Sequence, residues 1–359
     1  MSNPLLINLA VLFDKPTGIA TYAQNAIESL DSLNPTLLSA RTFDNFKRYA
    51  IAANMTPEEG IKGHFRRLLW TQFELPKIYR QLKADLIYSP IPEAPLYSQS
   101  RYIVMAHDLI PLRFPRRTSP LTNYFRYVVP LVLQQAEHII CNSQATAKDL
   151  NDFYGISANK ITPILLGYDP DNFYPRKTSA YFDRPYFLYL GRQDPYKNLA
   201  GLIDAFAAID SQDYYLAIAG SSDPRFTPQL QQRALELGIG DRVFWLDYLD
   251  YQELPIIISG AIALVFPTFW EGFGLPVLEA MACGTPVTTS NLASLPEITE
   301  NAAILIDPYN KAAITSAMRD LARDRSMRSQ LSQLSIQQAQ KFSWAKTGEA
   351  TKEVLKQYL

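Results

Sequence analysis

The chain has 359 residues, more than one hydrophobic core of common size holds, so its length predicts two domains of roughly 150 to 180 residues each. Hydrophobic residues make up 47% and charged residues 19% of the sequence, which fits a soluble globular protein and excludes disordered and fibrous chains. The formal net charge is −1, so no overall charge draws the chain to nucleic acid, and we expect no nucleic-acid partner.

Cysteine content and the start of the chain both predict a cytoplasmic location. The two cysteines, Cys141 and Cys283, are far apart and fit neither a disulfide framework nor a zinc site. The apolar run Leu5–Phe13 is nine residues long and lacks a basic region and a cleavage site, so it predicts a buried strand and not a signal peptide. No apolar run reaches the roughly 18 residues of a membrane span.

Short apolar runs alternate with helical patterns along the chain. Near-continuous apolar runs are typical of parallel strands covered on both faces, and the alternation predicts βαβ units. Helical patterns include 198–209 and 228–237. The candidate strands are INLAVLF, DLIYSP, YIVMAHD, HIICNS and ITPILLG in the first half, and YFLYLG, YYLAIAG, RVFWLD, AIALVFP, TPVTTS and AAILID in the second half.

The alternation breaks once, at GYDPDNFYPR, residues 167–176. This stretch has two prolines and little periodicity, so we expect the junction of two doubly wound α/β domains there. Two such domains would face each other across a cleft. Ligands in such folds bind outside the carboxyl ends of the strands, where we therefore expect the functional residues.

Two glutamates flank a glycine turn after the strand AIALVFP. Pro276 suits the first turn of a helix and Gly284 the position just past its end, so Glu271 is expected in the preceding loop and Glu279 about one turn inside. The free N–H groups of residues 273–277 would favour an anion. Carboxylates beside an anion site fit a ligand that also carries hydroxyl groups, and a nucleotide sugar has both parts.

Two cations are expected at the same edge. Arg192 and Lys197 lie in GRQDPYKN, between the strand YFLYL and a helix. Two side-chain charges and a helix end worth about half a charge roughly balance a diphosphate. The sequence therefore predicts a site that needs no metal ion and no cofactor.

These motifs together resemble the retaining glycosyltransferases of family 4, which have the GT-B fold. The resemblance extends over nearly the whole chain, and is greatest to bacterial mannosyl- and glucosyltransferases of surface-polysaccharide assembly. The motifs that carry it are TGIATY from Thr17, HDLIPLRFP from His107, GR…KN with Arg192 and Lys197, GFGLPVLEAMACGTPV with Glu271 and Glu279, and KFSWAKT from Lys341.

The resemblance implies two doubly wound Rossmann-like domains facing across a cleft. Residues 1–168 would form the acceptor-binding domain, with 343–359 crossing back to it. Residues 169–342 would bind the nucleotide sugar. The sequence departs from the family pattern at Thr17, which replaces the first glycine of a Gly-Gly pair in the loop that approaches the diphosphate.

The resemblance also implies roles for single residues. Glu271 would contact the transferred sugar, Glu279 the ribose hydroxyls, and Arg192 and Lys197 the diphosphate. His107, at the end of the strand YIVMA, would face the reacting sugar, with Asp108 orienting its loop.

Backbone groups complete the implied donor site. Phe273, Gly274 and Leu275 would lend N–H groups to the sugar, and Thr17 with Gly18 would approach the diphosphate. The base would be read by backbone groups in the stretch that ends at Leu249.

The implied reaction is transfer of a hexose with retention, by front-face attack through an oxocarbenium-like state. GDP-mannose is favoured as donor over UDP-glucose, and the acceptor is a saccharide, a sugar phosphate or a lipid-linked saccharide. Two alternatives remain open: an epimerase with the same fold, which would release no nucleotide, and a non-catalytic subunit that binds a nucleotide sugar.

One segment permits two interpretations. Residues 62–83 hold basic side chains interleaved with Phe65, Leu69, Trp70 and Phe73. They are either a peripheral contact with an anionic membrane surface, at the inner face of the membrane, or packing against the core. His64 and His138 have no motif around them and are interpreted as structural.

Overall fold

The computed structural model describes residues 4–12, 18–116, 119–177 and 181–359. The chain divides into two compact units. Unit 1 comprises Met1–Gly167 and Ser343–Leu359, and unit 2 comprises Tyr168–Phe342. No helix in the described ranges has both the length and the apolar character that a bilayer crossing requires.

Within the described residues, unit 1 contains a seven-stranded parallel sheet. Its order is β3-β2-β1-β4-β5-β6-β7, so the chain reverses its direction of progress between β1 and β4, a switch point of the kind where ligands bind. The strands are β1 (Leu5–Asn8), β2 (Thr36–Ser39), β3 (Lys47–Ala50), β4 (Leu86–Ser89), β5 (Tyr102–Ala106), β6 (His138–Cys141) and β7 (Ile161–Pro163).

Helices connect these strands. Short 3-10 helices lie at Asp31–Leu33, Pro57–Glu59 and Ala158–Lys160. The α-helices are α1 (Gly18–Glu28), α2 (Gly60–Phe73), α3 (Leu75–Gln81), α4 (Ile110–Arg113), α5 (Pro120–Tyr127), α6 (Val129–Gln135) and α7 (Gln144–Tyr154).

The described part of unit 2 contains a six-stranded parallel sheet with the order β10-β9-β8-β11-β12-β13. Its switch point lies between β8 and β11. The strands are β8 (Tyr186–Leu190), β9 (Tyr215–Ala219), β10 (Val243–Leu246), β11 (Ala263–Phe266), β12 (Val287–Ser290) and β13 (Ile304–Ile306).

Unit 2 also has 3-10 helices at Pro195–Lys197 and Gly240–Arg242. Its α-helices are α8 (Leu199–Ala207), α9 (Thr227–Glu236), α10 (Leu254–Gly260), α11 (Leu275–Ala282), α12 (Leu295–Thr299), α13 (Lys311–Arg323) and α14 (Arg325–Ala339). The last helix, α15 (Trp344–Lys356), belongs to unit 1.

The predicted fold class, two doubly wound Rossmann-like domains, is confirmed. Every residue of β5, β8 and β9 is buried, as expected of apolar strands that are covered on both faces. Each candidate strand from the sequence overlaps an observed strand. The core of each unit therefore lies on its sheet, and the loops at the carboxyl ends of the strands remain for function.

The sequence analysis missed β2 and β3. β2 is only four residues long, and β3, Lys47–Ala50, lies at the edge of the sheet with three of its four residues exposed. An edge strand with basic residues has no apolar run to reveal it, because one of its sides meets water.

Helix α15 packs against α1. A Cβ atom on Gly348 would lie 2.3 Å from Oγ of Ser29 and 3.2 Å from the carbonyl oxygen of Ala26, so the absence of a side chain lets the two helices approach closely. The Thr347 hydroxyl donates to the carbonyl oxygen of Leu165 at 2.8 Å. These contacts attach the end of the chain to unit 1.

Candidate active site

The switch point of unit 2 brings together loops that are distant in the sequence. β8 and β11 are neighbours, with Leu188 opposite Leu264. Arg192 and Lys197 follow β8, and Glu271 follows β11. Because parallel strands end at the same edge of a sheet, these loops emerge side by side.

A buried ion pair joins the two loops. Nζ of Lys197 lies 2.6 Å from Oε1 of Glu271, and only 11% and 9% of their side-chain surfaces are exposed. The ammonium group also lies over the rings of Tyr196 and Phe266, at 5.3 and 5.2 Å from their centroids. Oε2 of Glu271 makes no hydrogen bond to any described residue, so it can accept one from a ligand.

Asn198 fixes the loop that carries Lys197. Its backbone is left-handed, with φ of 59°, a conformation that asparagine tolerates. Its Nδ2 donates to the carbonyl oxygens of Pro267 and Pro308, at 3.1 and 2.8 Å, which lie beyond β11 and β13. The Thr268 hydroxyl donates to the carbonyl oxygen of Tyr196 at 3.1 Å. The side-chain amide of Asn198 thereby connects the loops after β8, β11 and β13 around the ion pair.

Arg192 is placed differently from Lys197. Its side chain is 73% exposed, and Nη2 lies 2.9 Å from Oδ2 of the buried Asp194. The hydroxyl of the buried Tyr189 donates to the carbonyl oxygen of Arg192 at 2.6 Å and supports the turn from below. Because the guanidinium group is mostly exposed and has five N–H donors, it can donate to an anion while it stays paired with the buried Asp194.

The turn before α11 leaves backbone donors unused. The N–H groups of Phe273, Gly274 and Leu275 have no acceptor among the described residues. Gly274 has φ of 111°, and a Cβ atom there would lie 2.7 Å from the Leu295 side chain, so the turn requires glycine. The N–H group of Val277, expected to be free, donates to the carbonyl oxygen of Gly274 at 2.9 Å.

Ser294 holds this turn in place. Its hydroxyl lies 3.1 Å from the carbonyl oxygen of Glu271 and 2.6 Å from that of Phe273. With the two carbonyl groups held on one side, the free N–H groups lie on a fixed backbone. Pro276 in the first turn of α11 and Gly284, with φ of 70°, just past its end occupy the predicted positions.

Glu279 lies one turn inside α11 and is partly buried. Its carboxylate has no hydrogen bond or ion pair to the part of the chain that the structure describes. Burial raises the pKa of this carboxyl group from 4.5 to about 7. A ligand that supplies hydrogen-bond donors would stabilise the charged form of this carboxyl group.

Leu249 lies in the loop after β10 and is partly buried. Neither its N–H nor its carbonyl group is paired with a described residue. Both groups remain available to a ligand, which is what a backbone contact with the nucleotide base would require.

His107 follows β5 in unit 1. Its Nε2 donates to the carbonyl oxygen of Pro90 at 2.8 Å, and the edge of the Tyr22 ring packs against it at 5.1 Å between centroids. Burial lowers the pKa of His107 to about 4, so the imidazole is neutral at physiological pH. Nδ1 is then the free acceptor. Asp108 accepts a hydrogen bond from the N–H group of Ile110 at 3.0 Å, which shapes the loop.

The remaining predicted residues of unit 1 lie after β1. Gly18 is the exposed first residue of α1, whereas Thr17 lies outside the described residues. Sequence reasoning missed the hydrogen bond between the hydroxyl groups of the buried Tyr22 and Tyr88, of which Tyr22 has its ring against His107. Tyr22 ends the TGIATY motif, so its spacing from Gly18 was the available signal. No group of metal-ligating side chains is found in the described ranges.

Comparisons with known proteins match the chain to two family models. Residues 16–172 match the family model Glycosyltransferase Family 4, and residues 171–338 match the model Glycosyl transferases group 1. Together the two models account for most of the chain.

Relatives of similar length and fold are known. O-antigen chain mannosyltransferase RfbU of Salmonella typhimurium is 25% identical over 328 residues, 88% of this chain and 90% of the relative. O-antigen chain mannosyltransferase B of Escherichia coli is 31% identical over 229 residues, 59% of this chain and 58% of the relative. The structure of Anabaena Alr3699/HepE in complex with UDP-glucose matches with a TM-score of 0.77 at 17% identity, over 99% of both chains. This likeness confirms the expected GT-B fold class.

The buried ion pair generates a prediction about stability. Lys197→Met leaves Glu271 buried and unpaired, so we expect the free energy of unfolding at pH 8 to fall by about 3–5 kcal/mol. Adding Glu271→Gln should restore most of it. Urea unfolding measures both effects. Lys77→Met, which breaks the exposed pair with Glu74, is the control and should have a much smaller effect. Equal losses in the single and double variants would contradict the pairing.

The raised pKa of Glu279 predicts a pH dependence. Because the folded-state value of about 7 lies above the reference value of 4.5, the folded state loses stability as pH rises through that window. Glu279→Gln should therefore raise the free energy of unfolding by about 3 kcal/mol at pH 8 and by less than about 1 kcal/mol at pH 5. Urea unfolding at both pH values tests this, with the exposed Glu236→Gln as control. The same gain at pH 5 and pH 8 would refute it.

Proposed function

The chain belongs to family 4 of the glycosyltransferases, and from this membership we propose that it transfers a hexose from a nucleoside-diphosphate sugar to a saccharide or lipid-linked acceptor, with retention and without a metal ion. GDP-mannose is the favoured donor and UDP-glucose the next. The observation that carries the proposal is the buried Lys197–Glu271 pair beside the three unpaired N–H groups of 273–275.

The diphosphate group is bound by backbone and side-chain donors. A lysine ammonium group has three protons, and Lys197 uses one on Glu271, which leaves two for phosphate oxygens. Arg192 supplies a second charge through the exposed N–H groups that do not contact Asp194. The start of α11 adds the partial positive charge of a helix end. These groups stabilise the negative charge that develops on the leaving diphosphate.

The transferred sugar is held by Glu271 and the glycine turn. Lys197 fixes Oε1 of Glu271, so the free Oε2 accepts hydrogen bonds from sugar hydroxyls at a defined position. The N–H groups of Phe273, Gly274 and Leu275 donate to sugar oxygens on the neighbouring side. Acceptors and donors thus alternate, as a ring with several hydroxyl groups requires.

Glu279 and Leu249 bind the nucleoside. The ionised carboxylate of Glu279 accepts hydrogen bonds from both ribose hydroxyls, and the unpaired backbone of Leu249 contacts the base. Hydroxyl donors favour the charged form, so binding lowers the pKa of Glu279 from about 7. Donor affinity should therefore weaken as pH falls below that value.

The chemistry rests on leaving-group stabilisation and positioning, not on a carboxylate nucleophile. Glu271 is paired with Lys197, which holds it as a hydrogen-bond acceptor for the sugar. Within unit 1, the neutral His107 can accept a hydrogen bond from a sugar hydroxyl at Nδ1, because its Nε2 proton is engaged by Pro90. The bond from the anomeric carbon to the diphosphate oxygen breaks while the acceptor hydroxyl attacks from the same face. The hydroxyl proton passes to the leaving diphosphate, and the anomeric configuration is retained.

The choice of mannose is supported by the relatives. Two of them are O-antigen chain mannosyltransferases, whereas the structural neighbour with UDP-glucose is only 17% identical. The acceptor is a saccharide, a sugar phosphate or a lipid-linked saccharide, bound by unit 1. With a lipid-linked acceptor the reaction would take place in the cytoplasm at the inner face of the membrane.

A transfer assay tests the proposal. The protein is incubated with GDP-mannose or UDP-glucose, a panel of mannosyl and lipid-linked acceptors, and EDTA. We expect release of GDP with EDTA present, and a product whose NMR spectrum shows the donor's anomeric configuration. Arg192→Gln should lower kcat/KM about 100-fold, because one donor to the leaving group is lost. Arg101→Gln, which removes another exposed and ion-paired arginine, should leave it unchanged.

Other outcomes would contradict the proposal. Conversion of the donor to its C2 epimer without an acceptor would indicate an epimerase. Donor binding without turnover over the whole acceptor panel would indicate a non-catalytic subunit. If Arg192→Gln is as active as the unchanged protein, Arg192 does not stabilise the leaving diphosphate.

A further inference from the structure

One exposed face of α2 is lined by large apolar side chains. Ile61, Phe65, Leu69 and Phe73 follow one another at intervals of four residues, and each is between 44% and 75% exposed. Four residues advance about 40° beyond one full turn of an α-helix, so each of these side chains is shifted by about 40° from the one before it. The four side chains therefore share an arc of about 120°. Scattered apolar residues are normal on a surface, but a contiguous stripe marks a site of interaction.

The opposite face of α2 prevents the helix from turning this stripe inward. The buried Arg67 donates from Nε and Nη2 to the carboxylate of the buried Glu93, at 2.6 and 2.9 Å. A Cβ atom on Gly63 would lie 2.3 Å from the carbonyl oxygen of Thr56, so that side of the helix is in close contact. The rotation of α2 is therefore fixed.

Positive charges share the exposed arc. Lys62 and Arg66 are exposed and lie within about 140° of Ile61 around the helix, among the apolar side chains. α2 contains no aspartate or glutamate. The acids next to the helix lie beyond its two ends: Glu58 and Glu59 precede it, with Glu59 3.5 Å from Arg66, and Glu74 follows it. A face that combines apolar and cationic groups without carboxylates is complementary to a surface of fatty-acid chains and anionic headgroups.

An exposed aromatic residue extends the face. The side chain of Gln72 donates to the carbonyl oxygen of Ala94 at 3.0 Å and accepts from the N–H group of Leu96 at 2.9 Å. This pair of bonds holds the following residue, Tyr97, close to α2, and Tyr97 is 81% exposed. Tyrosine is favoured at the boundary between lipid and water, because its ring is apolar and its hydroxyl polar.

We propose that the α2 face, composed of Ile61, Lys62, Phe65, Arg66, Leu69 and Phe73, docks on an anionic lipid bilayer. The apolar side chains enter the boundary between headgroups and acyl chains, and the two cations contact lipid phosphates. A second copy of the chain fits less well, because a two-fold interface through this face would set the same cations against each other. The proposal does not depend on the transfer reaction.

Vesicle sedimentation of the full chain tests the proposal. The protein should sediment with phosphatidylcholine vesicles that contain phosphatidylglycerol and much less with phosphatidylcholine alone, and added salt should weaken binding. The double variant Phe65→Ser with Phe73→Ser should lower the partition coefficient by about tenfold or more. Lys62→Gln with Arg66→Gln should lower it about tenfold at low salt. The matched control is Leu235→Ser with Leu237→Ser, two exposed leucines of unit 2, which should bind like the unchanged protein.

Three results would overturn the proposal. The first is failure of the unchanged protein to sediment with the anionic vesicles. The second is equal binding by the α2 variants and the control, with thermal unfolding showing that all are folded. The third is a concentration-dependent dimer in analytical ultracentrifugation that the α2 substitutions abolish without any vesicle binding. In each case the result of the transfer assay with the soluble mannosyl acceptors of the panel is unaffected.

Discussion

The candidate site depends on one interaction, the ion pair between Lys197 and Glu271. Two buried charges are stable only when each has its partner, so the loops after β8 and β11 cannot separate without a large cost. Asn198 and Ser294 hold the backbone on both sides of the pair. The result is a rigid carboxylate with one free oxygen beside an ammonium group with two unused protons.

This pair lies at a place where the backbone already favours an anion. The start of α11 presents three N–H groups that have no acceptor in the described part of the chain, and their turn is fixed by the left-handed Gly274. Glu279, one turn further, is held in an environment that disfavours its charge. The arrangement is therefore incomplete in a specific sense: donors without acceptors lie beside an acid without donors, and a molecule with a diphosphate and several hydroxyl groups satisfies both.

The sequence predicted the architecture well, because buried parallel strands are visible as runs of apolar residues. The alternation of these runs with helical patterns predicts parallel strands, whose carboxyl ends then lie at one edge of the sheet. It failed for β3, whose exposed basic residues leave no such run. For the site, Pro276 and Gly284 correctly placed the start and the end of α11, with Glu271 before the helix and Glu279 inside it. The pairing of Lys197 with Glu271 was not predictable from spacing, because 74 residues separate them and only the strand order brings them together.

Hydrogen exchange at single backbone amides, measured by NMR with and without GDP-mannose, tests the central claim most directly. If the nucleotide sugar binds at the start of α11, exchange of the N–H groups of Phe273, Gly274 and Leu275 should slow by about tenfold or more. The N–H group of Val277, already bonded to Gly274, should change far less. GDP-mannose binding seen by calorimetry with unchanged exchange at all three amides would contradict the account.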